Sequence, residues 1–114
     1  MERSVVKEKT GGSAFCSVFG ASPRNRVIEF FIELRELDFS AGDVARETGL
    51  NRATAYTTMG ELVEQGYLVS TRKVSGSQLY KLNQPKAEVS VLIDAFNIAL
   101  RRMAGAVLEK KLKA

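Results

Sequence analysis

The stretch Asn51–Gly66, NRATAYTTMGELVEQG, constrains this chain more than any other. The side-chain oxygen of Asn51 suits an N-cap, because it can satisfy a free N–H of the first helical turn. Gly66 suits the position just past a helix end, where the chain turns left-handed. Between them Ala55, Met59, Leu62 and Val63 recur at helical spacing as one narrow apolar stripe. The remaining face carries Arg52, Ala53, Thr54, Tyr56, Thr57 and Thr58. β-Branched Thr loses rotamer freedom in a helix. A run of Thr on a helical face therefore reads as a surface kept for contact.

The residues before this helix supply its companion. Ser40-Ala41-Gly42-Asp43 has the form of a capping box with Asp replacing Glu, opening a helix through Val44, Ala45 and Arg46 to Thr48. Gly49-Leu50-Asn51 is a tight link. Two short helices joined by a three-residue turn containing Gly form a helix-turn-helix. Ser22-Pro23 opens an earlier helix, with Ser as N-cap and Pro at the first position. Its apolar face is expected from Val27, Ile28, Phe30, Phe31, Leu34 and Leu37, with Arg24, Glu29, Glu33 and Glu36 outside and Asp38-Phe39 as its end. Residues 1–12 are charged, lack periodicity and end in Gly11-Gly12, the pattern of a flexible arm. Ser13–Gly20 fits a short helix, and a strand stays open at that length.

After Gly66 the period changes. Tyr67–Thr71 and Gln78–Leu82 are rich in strand formers, and Val74-Ser75-Gly76-Ser77 supplies a turn. Leu68, Tyr80 and Leu82 are expected to face the helices. A two-strand ribbon in this place is a wing.

Asn83-Gln84-Pro85 punctuates the chain, and Lys86–Lys113 reads as one helix, roughly 40 Å long at ~1.5 Å per residue. Val89, Leu92, Ile93, Phe96, Ala99, Leu100, Met103, Val107 and Leu108 fill one side. A domain of ~60 residues is too small to cover that stripe, so a second copy is the expected partner. The candidate dimer contacts are Val89, Leu92, Phe96, Ala99, Leu100, Met103 and Val107. Gly105 inside this helix costs about 0.5–1 kcal/mol relative to Ala, and close approach of a partner helix would explain it. The expected fold is mainly α with a small β-hairpin: an arm (1–12), a winged helix-turn-helix (13–82) and a dimerisation helix (83–114).

The net charge of +4 and pI near 9.4 favour an anionic partner only mildly. Residues 22–82 carry eight Lys/Arg and eight Asp/Glu, so local patterning must supply any affinity for nucleic acid. The sole cysteine, Cys16, makes no internal disulfide, and the chain has no His for a metal site. Cys16 reads as a buried structural thiol, with a redox sensor as the alternative. No cofactor is expected. Catalysis finds no support, because metal-ligand spacing and phosphate-cradling Gly motifs are missing and the carboxylates are scattered. The apolar core of residues 13–19 is short for a signal peptide, and Glu2 and Glu8 precede it. No run is long enough to span a bilayer. A cytoplasmic protein without a membrane partner is expected.

The run from Phe19 to Leu82 resembles the winged helix-turn-helix domains of prokaryotic transcriptional regulators, broadly the ArsR, MarR and TrmB-like groups. The matching residues are Phe19–Ile28, Val44–Thr54 through the turn, and Leu62–Leu68 before the wing. The resemblance implies helix 52–65 in the major groove of double-stranded DNA and wing 68–82 on the backbone or minor groove. Arg52, Ala53, Thr54, Tyr56, Thr57 and Thr58 are then the groove candidates. Arg52 suits bidentate reading of guanine or clamping of a phosphate. Arg72, Lys73, Ser75 and Gly76 at the wing tip are candidates for phosphate or minor groove. Ser40 and Asn51 lie at helix N-termini, where free N–H groups attract phosphate, although capping alone also explains them. ArsR-type metal sensing lacks the Cys and His it needs. The expected function is a dimeric, sequence-specific regulator of transcription. The rival is a protein-binding winged-helix adaptor, which the neutral middle segment favours.

Overall fold

Each helix of the central unit starts on the cap that its sequence supplies. A computed structural model describes residues 14–113, with side chains through residue 106. The expected arm over residues 1–12 lies outside the described residues. Ser22 Oγ accepts from Asn25 N (3.1 Å) and starts α2, Pro23–Glu33, after the short helix α1, Ala14–Phe19. Ser40 and Asp43 complete a reciprocal capping box at the start of α3, Ala41–Thr48, with Asp43 N to Ser40 Oγ at 3.2 Å and Ser40 N to Asp43 Oδ2 at 3.0 Å. Asn51 Oδ1 accepts from Thr54 N (2.8 Å) and starts α4, Arg52–Glu64. The α4 C-terminus closes by Gly66 N to Val63 O (3.0 Å) and Tyr67 N to Leu62 O (2.9 Å), which satisfies two end carbonyls.

The turn between α3 and α4 is fixed from several sides. Gly49 has φ +79°, a left-handed conformation that a Cβ would strain. Arg26 donates to Thr48 O, and Thr48 Oγ1 donates to Val44 O (2.7 Å). Placing a guanidinium on the last carbonyls of α3 also complements its dipole.

β1, Leu68–Val74, pairs antiparallel with β2, Ser77–Leu82, in register Leu68 to Leu82 and Val74 to Ser77. The turn is tighter than the four residues expected. Only Ser75 and Gly76 lie between the strands, with φ 51° and 82°, the pattern of a type I′ hairpin turn. Midway, Ser70 pairs with Tyr80 and Lys73 with Gln78, so Thr71 and Arg72 together oppose Leu79 in a bulge. Phe39 adds to this ribbon by exchanging backbone hydrogen bonds with Tyr80 (2.8 and 2.9 Å). Its ring packs edge-on against Phe30, with centroids 4.8 Å apart.

The last helix, α5, Ala87–Lys113, folds back over α1 and α2. The buried core joins Phe15, Val27, Phe31, Ile32, Val44, Met59, Leu62, Leu68, Leu82, Val89 and Phe96. Three expectations about faces change. Helix α2 ends at Glu33, so Leu37 leaves the helical period and is 53 % exposed, while Ile32 is fully buried. Glu29, expected outside, turns inward and accepts from Phe15 N (3.0 Å) and Cys16 N (3.3 Å), capping the first turn of α1. Val89, Phe96 and Ala99, expected at a dimer interface, are buried within this chain because α1 and α2 cover them.

Candidate nucleic-acid interface

Helix α4 lies with Ala55, Met59 and Leu62 in the core, which turns Arg52, Ala53, Tyr56 and Thr57 to solvent. Tyr56 is 72 % exposed, well clear of the core. Thr54 is half-buried. Thr58 is 7 % exposed and drops out of the contact face. It stands three residues after Ala55 and four before Leu62, so it lies on the packed side of the helix.

Arg52 opens α4 and leans back over α3. Its Nη2 lies 3.2 Å from where a Cβ on Gly42 would stand. Among the described residues no carboxylate pairs with it. The first turn of α3, with the backbone N–H groups of Ala41 and Gly42, thus borders a free guanidinium. Ser40 and Asn51 hold this corner by capping, their side-chain oxygens being used by Asp43 N and Thr54 N.

In the wing, Lys73, Ser75 and Gly76 are exposed around the hairpin tip. Arg72 is not free. Its Nε reaches Asp38 Oδ2 at 2.9 Å and its Nη2 reaches Asp38 Oδ1 at 3.0 Å. Thr71 Oγ1 donates to the same Asp38 Oδ2 at 2.7 Å. These hydrogen bonds, Arg72's above all, hold the Asp38 carboxyl down at about 2.

Other cations are also engaged internally. Arg46 Nη2 pairs with Asp43 Oδ1 at 2.8 Å. Arg24 and Lys86 each stand 5.5 Å from the centroid of Tyr67. Asp38 was not foreseen as a partner of the wing. Its link to Arg72 spans 34 positions, beyond the reach of any local pattern.

The long helix keeps a second exposed set: Val91 (65 %), Ile98 (48 %) and Met103 (38 %). Leu92 and Leu100, of the expected dimer contacts, lie half-buried against the chain's own core. Met103 alone of that set stays exposed, and the side chain of Val107 lies outside the described residues. Among the described residues, nothing beyond Gly105's own helix backbone and chain neighbours lies within 4 Å of a Cβ built on it.

Within α1, burial and the neighbouring Glu29 push the Cys16 thiol up to about 12, which keeps it protonated. Burial, with Glu29 one turn back, raises the Glu33 carboxyl to about 7. Among the described residues no group of His, Cys, Asp and Glu is arranged to hold a metal ion, and no helix is long and apolar enough to cross a membrane.

Three helices with the second pair joined by a tight turn, followed by a two-stranded ribbon, define a winged helix-turn-helix, and a long helix completes the chain. Residues 26–72 match the IclR helix-turn-helix domain, a DNA-binding domain of transcriptional regulators. The fold is similar to that of the adhesin competence repressor AdcR from Streptococcus pyogenes, with a TM-score of 0.58 and 15 % identity over 75 % of this chain and 66 % of that one. It is also similar to a possible transcriptional regulator from Methanosarcina mazei (TM-score 0.55, 15 % identity, 83 % and 82 % covered). Rv0081 of M. tuberculosis is a third (TM-score 0.51, 19 % identity, 86 % and 89 % covered). The chain thus spans just under two thirds of the AdcR chain. No curated protein matches the sequence. The fold and the matched domain are those of DNA-binding transcriptional regulators; the matched helix-turn-helix is of the IclR type, and the ArsR, MarR and TrmB-like groups are not singled out.

Proposed function

We propose that this protein is a dimeric, sequence-specific regulator of transcription that binds double-stranded DNA in a prokaryotic cytoplasm. The observation that carries this reading is the exposed face of α4: Ala53, Tyr56 and Thr57 stand clear of the core beside an unpaired Arg52. Thr54 flanks that face. Helix α4 enters the major groove. Tyr56 and Thr57 meet base edges. Arg52, leaning over the first turn of α3 near Ser40, takes a backbone phosphate, since a guanidinium and two amide N–H groups converge there. Lys73, with Ser75 and Gly76, brings the wing to the backbone.

Residues 13–82 form the DNA-binding unit and residues 83–114 join two copies. Val91, Ile98, Met103 and the open side of Gly105 support α5 as the joining surface. Two copies related by a two-fold axis present their α4 helices about 34 Å apart and select an inverted repeat. No catalytic role is assigned.

A binding titration against random-sequence duplex DNA at low and moderate salt, with the mass in solution recorded, tests the reading. A dimer whose affinity falls steeply with salt is the expected result. A protein that ignores duplex DNA at low salt overturns it in favour of the adaptor. That rival draws on the balance of eight basic and eight acidic residues over 22–82.

A further inference from the structure

Asp38 lies outside the wing, yet its side chain is bonded to two neighbouring residues of β1. Its carboxylate lies in the loop between α2 and α3 and takes three hydrogen bonds: two from Arg72, at 2.9 and 3.0 Å, and one from Thr71, at 2.7 Å. The Asp38 side chain is only 17 % exposed, whereas that of Arg72 is 64 % exposed. The pair therefore stands at the surface of the wing with its acid tucked beneath and its base outermost.

The wing is also held by contacts other than this pair. Phe39 exchanges both backbone hydrogen bonds with Tyr80. Gln78 Nε2 donates to Arg72 O at 2.9 Å and ties the bulge from the other strand. Leu68 and Leu82 anchor the ribbon's base in the core. What the carboxylate adds is charge: it neutralises one of the two adjacent cations of β1, Arg72 and Lys73, in a segment with no net charge to spare.

We propose that Asp38 is a positioning residue that withholds Arg72 from the DNA backbone and so weakens the protein's hold on DNA of any sequence. The inference rests on the DNA-binding reading above. Binding without sequence preference is carried by phosphate contacts, each of which steepens the salt dependence. With the Nε–Nη2 edge of its guanidinium on Asp38, Arg72 is neutralised as a pair, and a phosphate that drew it away would face a bare carboxylate. Of the two adjacent cations of β1, only Lys73 is then free to meet a phosphate, and the exposed face of α4 is untouched.

Three proteins decide the matter on random-sequence duplex across a range of salt: the wild type, Asp38→Asn, and Asp38→Asn with Arg72→Gln. Asp38→Asn is expected to bind more tightly at low salt, with the slope of log affinity against log salt steeper by about one. Its advantage should shrink about three- to fourfold for each fourfold rise in salt. The double variant should return to the wild-type slope. A merely structural role for Asp38 would weaken binding and leave the slope unchanged or shallower, and that result overturns the proposal. So does a double variant shallower than wild type, which would put Arg72 on a phosphate already. Asp38→Ser serves the same comparison where Asp38→Asn does not fold. A wild type that fails to bind at low salt overturns the DNA-binding reading and this inference together, whereas binding unchanged by Asp38→Asn overturns this inference alone.

Discussion

The guanidinium of Arg52 rests against Gly42, with Nη2 3.2 Å from the point a Cβ would occupy. One residue thereby joins the first turns of the two helices that make the helix-turn-helix. Gly42 has ordinary helical backbone, so its lack of a side chain serves space and not conformation.

Gly42→Ala is expected to separate stability from binding. Replacing Gly in a helix gains about 0.5–1 kcal/mol, and the crowded group is the mobile end of a side chain, so little is lost. Thermal unfolding should move up by a few degrees, roughly 2–8 °C. The same methyl pushes Arg52 off its place, so affinity for duplex DNA should fall. Unchanged affinity would remove this placement of Arg52 from the binding mechanism.

Arg52→Ala should weaken binding to random and selected duplexes alike and make the salt slope shallower by about one, because a phosphate contact carries no sequence information. A loss confined to the selected sequence would instead assign Arg52 to a base.

Two neighbouring threonines should behave differently. Thr57→Ala removes an exposed hydroxyl and improves helix propensity. It should leave the fold as stable or more so while selected-site affinity drops by about 1 kcal/mol, near fivefold. Thr58→Val alters a residue only 7 % exposed, and DNA affinity should stay at the wild-type value. Titrations of both variants against one selected duplex make the comparison.

On the long helix, Phe96 and Ile98 should separate fold from assembly. Phe96 is 5 % exposed in this chain's core, so Phe96→Ala should cost about 3–5 kcal/mol of stability. Ile98 is 48 % exposed, so Ile98→Glu should leave circular dichroism unchanged and shift the sedimenting mass from two chains to one. A dimer that survives Ile98→Glu would place the joining surface elsewhere.

Two carboxylates give opposite pH effects. Asp38 is held at about 2 instead of its ordinary 3.8. The folded state therefore prefers the ionised form, and the stabilisation present above 3.8 is lost as the pH falls toward 2. Glu33 is raised from 4.5 to about 7. The folded state prefers its protonated form, so its favourable contribution holds below 4.5 and fades as the pH rises through 7. Glu33→Gln should then unfold at a higher temperature than wild type at pH 8 and at nearly the same temperature at pH 4.5. Equal curves at both values would count against a raised Glu33 carboxyl.

Local chemistry made much of the fold legible. Ser22, Ser40 and Asn51 announced three helix starts because a capping oxygen acts within three residues of itself. Gly49 marked the turn by its backbone freedom, and the change from helical to strand period located the wing. Thr58 misled because the apolar stripe of α4 is narrow, and a threonine beside it packs as readily as it points outward. Glu29 misled for a related reason: an acid at an expected outer position of α2 became the cap of a different helix.

The sequence by itself determined the order of helices and strands, a polar face on α4 of which Arg52, Ala53, Tyr56 and Thr57 are exposed, and a long apolar stripe in need of cover. Only the tertiary structure decided what covers that stripe, since α1 and α2 fold over Val89, Phe96 and Ala99 and leave Val91 and Ile98 outside. It also decided which cations stay free, for Arg72 meets an acid 34 residues away. Caps, turns and periodicity act between near neighbours and can be read along the chain. Burial and ion pairing depend on which segments meet in space, and that is settled only when the whole chain packs.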